Sequence, residues 1–351
     1  MRVSFFLLIF LVIVISYFLI DFFTHLPESS EFVPNEDSPP LFLGLVAGTG
    51  GFSDKSYNDS LYSGLIQAMI EFGIDFIERS PMKMNESHDL LKEIIDEGVQ
   101  VVFAGGGFYM REPVDSLARA HPDIKFVLFD DFAIEYLPNV ASVTFRQNEA
   151  AFMVGALAAI QSKTNTLCVI SAMYTDVLND SVEGFEAGAR YIKPQIKVIK
   201  EYIDRYDFDT DPFSNPKVAY ELATDMYENK NVDIIFQVCR GSGFGVINAS
   251  IEQNKFTIGS GFDQDHLAQG NILASMEKKI DLGMIKMIQI ILNDEFENKS
   301  YSFGLDSGLV SMSNLTFTRD LIGDTNILRL NYIESKILNK DLVVPSRQVA
   351  N

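Results

Sequence analysis

Residues 41–73 read LFLGLVAGTGGFSDKSYNDSLYSGLIQAMIEFG. The run 41–46 is short and apolar, which predicts a buried strand. Gly48-Thr49-Gly50-Gly51 follows, and glycines let the backbone bend sharply. From about Ser56 to Phe72 apolar residues recur at helical spacing, and Gly73 closes the segment. Strand, glycine turn and helix together form the building unit of a parallel sheet.

The unit repeats down the chain. Strands are predicted at 74–77, 99–103, 126–129 and 140–144, with helices at 85–97, 113–120 and 149–160. In the last of these helices Gly155 and several alanines permit close packing. The rhythm restarts with strands at 167–170, 196–202, 232–238, 256–260 and 272–276. Helices fall between or after them at 181–191, 217–227, 246–253 and 281–292. Near-continuous apolar strands alternating with amphipathic helices mean parallel sheets covered on both faces. Two such successions predict an α/β protein of two similar, Rossmann-like lobes.

Composition narrows the function. The 351 residues carry 28 Lys+Arg against 48 Asp+Glu, a net charge of −20, which excludes a general nucleic-acid binder. Cys168 and Cys239 are too far apart in sequence for a zinc knuckle, and the two make no disulfide framework. Four histidines are few for a metal enzyme, so neither metal nor cofactor is expected.

Residues 3–23 are apolar apart from Asp21 and are long enough to span a bilayer, with Arg2 holding the start on the cytoplasmic side. No small-residue cleavage site follows, so an uncleaved anchor is expected, the alternative being a poorly formed cleavable signal. Residues 24–40, rich in Pro, Ser and acid, read as a linker. The body is expected on the extracytoplasmic side of the plasma membrane.

Sheets of this kind bind ligands beyond the carboxyl ends of their strands, so the strand-to-helix turns hold the candidates. In the first turn Asp54 or Ser56 can cap the helix, while the packed set Asp54, Tyr57 and Asn58 also suits a ligand. Asp130 and Asp263 end apolar strands and could accept hydrogen bonds from a vicinal diol such as that of ribose. Each alone reads equally well as a turn aspartate. Lys278 either neutralises one of these acids or lies in solvent. The turn Arg240–Gly245 resembles a dinucleotide fingerprint only loosely, because its third glycine is one residue early. Asp209-Thr210-Asp211 lacks the glycine and glutamate of a calcium loop.

GGFSDKSYN (50–58), FRQNEAA (145–151), GFEAG (184–188), the stretch 236–245 and SMEKKID (275–281) resemble a known family. It is the basic membrane protein, or purine nucleoside receptor (PnrA-like), family of substrate-binding proteins for bacterial ABC importers. The resemblance implies a type I periplasmic-binding-protein fold whose lobes are joined by three crossovers. The first lobe would comprise 41–146 and 266–304, the second 147–265 and 305–335, with a tail at 336–351. It implies a nucleoside or related polar small molecule in the cleft and an ABC permease as partner.

Carried over by position, Tyr57 takes the place of the family's base-stacking phenylalanine and Asn58 that of the asparagine beside it. Asp130, Gly241, Asp263 and Lys278 take the ribose-contacting places. Three positions depart from the pattern. Gly48 stands where the family has an acid that reads the purine edge, Ser181 where it has a second stacking aromatic, and Arg240 where it has a glycine. The ribose half is kept and the base half is not. Arg240 is expected to stack on a base, to donate to an acceptor-rich edge, or else to point to solvent or pair with a surface acid. Two other classes stay open: a surface antigen with a degenerate cleft, and a nucleoside hydrolase. The second would need a calcium-binding aspartate cluster, and Gly48 and Gly50-Gly51 stand where such acids would be.

Overall fold

Two six-stranded sheets organise the computed structural model, which describes residues 40–54, 57–207 and 210–347. The expected membrane anchor at 3–23 and the linker up to residue 39 lie outside the described residues. Among the described residues no helix is long and apolar enough to cross a membrane.

The first sheet runs β11 (Ser300–Phe303), β5 (Val140–Phe145), β4 (Lys125–Phe129), β3 (Val101–Ala104), β1 (Phe42–Val46), β2 (Asp75–Arg79), all parallel. The second runs β12 (Val310–Met312), β10 (Ile272–Lys278), β9 (Phe256–Gly261), β8 (Ile234–Val238), β6 (Thr166–Ser171), β7 (Lys197–Tyr202). Only β12 is antiparallel to its neighbour among these pairs. Every residue of β3, β5, β6 and β8 is buried, as strands covered on both faces must be. Leu91, Ile94 and Phe126 anchor the core on one face of the first sheet, and Ile170, Leu222 and Ile235 do so in the second. This is the two-lobed architecture of type I periplasmic binding proteins.

The chain crosses between sheets three times: after β5 through helix Gln147–Gln161, after β10 through helix Ile280–Leu292, and between β11 and β12. The second crossing corrects the boundary expected at residue 266. β10 pairs with β9, Met276 opposite Ser260, so the second lobe continues to Lys278. Its apolar side chains need cover on both faces, which a place between β9 and β12 supplies. Helix Ile280–Leu292 then packs on helix Tyr57–Phe72 of the first lobe; a Cβ on Gly64 would lie 2.8 Å from the Asp281 carbonyl oxygen.

The expected tail is also corrected. Helix Asp324–Leu338 passes residue 336, and the chain beyond it returns to the second lobe. Asn148 Nδ2 donates to the Pro345 carbonyl at 2.9 Å, and Ser346 Oγ donates to Asp180 Oδ1 at 2.7 Å. Cys168 and Cys239 are buried and free.

Candidate functional site

The carboxyl ends of β1, β4, β8 and β10 converge between the lobes. There Lys278, the last residue of β10, donates from Nζ to Asp130 Oδ2 at 2.7 Å and to Gln147 Oε1 at 2.9 Å. Asp130 follows β4, so this buried ion pair joins the first lobe to the second. Burial lowers the Lys278 ammonium below its ordinary pKa, and the Asp130 charge opposes that shift. The other carboxylate oxygen of Asp130, Oδ1, is buried with no partner among the described residues.

Arg240 lies beside this pair. Its guanidinium carbon is 4.3 Å from the ring centroid of Tyr57 and 4.2 Å from that of Phe213. The cation therefore sits, part-buried, in an aromatic slot with one wall from each lobe. The Tyr57 hydroxyl is buried and unpartnered; burial and then Asp130 hold its pKa well above the ordinary value, so it stays protonated. Asp130 and Arg240 both take left-handed backbone conformations, with φ of +65° and +50°. Such angles cost a non-glycine residue about 1–2 kcal/mol. They also explain why a glycine would suit position 240.

These side chains divide the cleft into two chambers. An inner one of about 50 Å³ is lined by Tyr57, Gln147, Ser260 and Lys278. An outer one of about 290 Å³ is lined by Tyr109, Arg111, Asp131, Tyr174 and Thr175. Asp130, Leu178, Phe213 and Arg240 form the wall common to both. Arg111 is paired with Asp131, whose pKa burial raises and the guanidinium pulls back. Tyr109 Oη accepts a hydrogen bond from the Thr49 backbone N–H at 2.9 Å, which keeps its own proton free to donate into the outer chamber.

Tyr57, Asp130, Arg240 and Lys278 thus come together at one place in the cleft. The other candidates do not join them. Asp54 caps helix Tyr57–Phe72, its carboxylate accepting from the Asn58 and Asp59 N–H groups. Asn58 is fully buried and holds the glycine turn, accepting from Gly48 N–H and donating to the carbonyls of Gly48, Thr49 and Gly51. Gly241 lines neither chamber; a Cβ there would lie 3.2 Å from the Phe213 carbonyl oxygen. Ser181 is fully buried one turn inside helix Asp176–Ile192 and lines neither chamber. Asp263 lines a different cavity from Asp130, together with Asp59, Asp281 and Lys278, so it shares only the lysine with the site, and its Oδ1 accepts from the Asp265 N–H.

The second aromatic wall, Phe213, was not among the candidates. It lies in the long connection after β7, at the same sheet edge as the other turns, and that position was the available signal. Arg111 and Tyr109 follow Gly105-Gly106-Gly107 at the end of β3 and could have been found the same way. Among the described residues no group of three or more His, Cys, Asp or Glu is placed to hold a metal ion.

The chain is similar to basic membrane protein A of Borreliella burgdorferi, 28% identical over 307 residues that cover 85% of this chain and 86% of the relative. Among solved structures it superposes on an ABC transporter solute-binding protein from Aeropyrum pernix K1 with a TM-score of 0.76 at 21% identity, covering 87% and 94% of the two chains. A second solute-binding protein, from Conexibacter woesei, gives 0.68 at 15% identity over 88% and 99%. At these identities the superpositions speak for the fold. The family model for PnrA-like ABC transporter substrate-binding proteins matches residues 44–348, and the chain belongs to that family, as a solute-binding protein and not an enzyme.

Proposed function

We propose that this protein binds a ribonucleoside in the interlobe cleft, on the extracytoplasmic side of the membrane, and delivers it to an ABC permease. The observation that carries the reading is Asp130. One of its oxygens is fixed by Lys278 and the other is a buried acceptor without a donor, the arrangement a sugar hydroxyl would complete. The outer chamber, about 290 Å³, suits a guest of nucleoside size and mixes apolar walls with a few polar groups. Residues 3–23 would tether the body, and retention in the membrane pellet after high-salt washing checks that part.

Calorimetry tests the sugar site. Asp130→Asn keeps the size of the side chain and removes its charge. Hydrogen bonds to a charged group contribute about 1.5–3 kcal/mol, so inosine should bind that variant roughly ten- to hundredfold more weakly. A 2′,3′-dideoxy analogue should lose little. Equal losses for both ligands would remove the diol from Asp130.

A further inference from the structure

Arg240 is fixed in place yet unsatisfied. The rings of Tyr57 and Phe213 flank its guanidinium, their centroids 4.3 Å and 4.2 Å from the guanidinium carbon, which holds the group and leaves its N–H groups as the hydrogen-bonding part. Nη1 is buried and has no partner among the described residues. The neighbouring cations differ: Arg111 is paired with Asp131 and Lys278 with Asp130, whereas none of the ion pairs among the described residues includes Arg240. Residue 48, whose Cβ would lie 2.8 Å from Nη1, is glycine and supplies no side-chain acceptor. Across the outer chamber Tyr109 adds another hydroxyl able to donate.

A guanidinium edge presents parallel N–H groups in one plane and matches two adjacent in-plane acceptors. Among nucleoside rings, O6 and N7 of a 6-oxopurine form such a pair. Adenine sets N7 beside an amino group, so one donor of the arginine would meet a donor.

We propose that Arg240 is the specificity-determining residue of the cleft and selects 6-oxopurine ribonucleosides, of the inosine or guanosine type, over adenosine. The inference rests on the nucleoside reading above and refines it. The ring meets the arginine through its N–H groups and lies in the outer chamber, which Arg240 and Asp130 both line.

The test is titration of the purified full-length protein with inosine, guanosine, adenosine and 7-deazainosine, repeated on Arg240→Gly and Arg240→Lys. A φ of +50° suits glycine, and a thermal melt confirms that each variant is folded. Wild type should prefer inosine and guanosine over adenosine by about ten- to hundredfold. That preference should fall to within about threefold in both variants, since lysine keeps the charge without the fork. Loss of the N7 acceptor in 7-deazainosine should abolish most of the advantage. Equal or tighter binding of adenosine by wild type, or selectivity that survives in folded Arg240→Gly, overturns the role of Arg240 and leaves the nucleoside reading standing. No heat with any nucleoside overturns both.

Discussion

A Cβ at position 48 would lie 2.8 Å from Arg240 Nη1 and 2.9 Å from Asn58 Oδ1. An acidic side chain therefore cannot stand there while the arginine keeps its place between Tyr57 and Phe213. The absent acid at 48 and the arginine at 240 are one change in space, although the chain separates them widely. Gly48→Asp alone should be destabilising by about 1–3 kcal/mol, the usual cost of overpacking a close site. In an Arg240→Gly background part of that cost should vanish, because the guanidinium no longer fills the space while Asn58 Oδ1 still does. Urea unfolding of the two single variants and the double variant measures this, and equal costs of Gly48→Asp in both backgrounds would show that the positions are uncoupled. Ser181 has a different explanation. The second aromatic wall comes from Phe213, on another loop, and the serine is simply buried helix. Residue types at strand ends were readable one at a time; which of them share a slot was not, because chain order carries no distance between loops of different lobes.

Strands and helices differ in how plainly the sequence announces them. β3, β5, β6 and β8 are unbroken apolar runs, and their burial on both faces is what made them legible. β11, with the sequence SYSF, and β12, with VSM, are too short and polar to stand out as strands, so the third crossover between them was implied by the family resemblance and not by the apolar pattern. Helix Asp324–Leu338 buries Leu330, Ile333 and Ile337 but exposes Leu328, Tyr332 and Leu338, so its apolar period is blurred. The small residues of helix Gln147–Gln161 were read correctly as a packing face. A Cβ on Gly155 would lie 2.1 Å from the Phe185 carbonyl oxygen, and one on Gly188 would lie 2.0 Å from that of Phe152. The two backbones touch, so neither side chain can turn away to make room. Gly155→Ala should thus cost at least about 1–3 kcal/mol even though alanine favours helix. A midpoint in thermal unfolding at or above that of wild type would mean that the helices can separate without penalty.

Ligand capture by a two-lobed binding protein depends on the balance between open and closed arrangements, and two contacts across this cleft bear on it. Lys278 reaches Asp130 from the second lobe to the first, and Arg240 from the second lobe stacks on Tyr57 of the first. The first contact is buried, and Lys278 sits at the crossover itself, so it acts close to the axis of any hinge. The second involves Arg240, which borders both chambers of the cleft. A cation over an aromatic face contributes about 0.5–2 kcal/mol, which corresponds to a roughly 2- to 30-fold change in the ratio of the two arrangements. Arg240→Gly should accordingly shift the molecule toward the open form, and the ion pair at Lys278 should limit how far. Spin labels on the exposed residues Asp89 of the first lobe and Glu221 of the second would report this as a longer and broader distance distribution in the variant than in wild type. Lys278→Met is the contrasting change. It leaves Asp130 without its cation in a buried place and should lower folding stability by about 3–5 kcal/mol, whatever it does to the distance. If Arg240→Gly leaves the distribution unchanged, the stack on Tyr57 contributes nothing to closure, and Arg240 acts on the ligand alone.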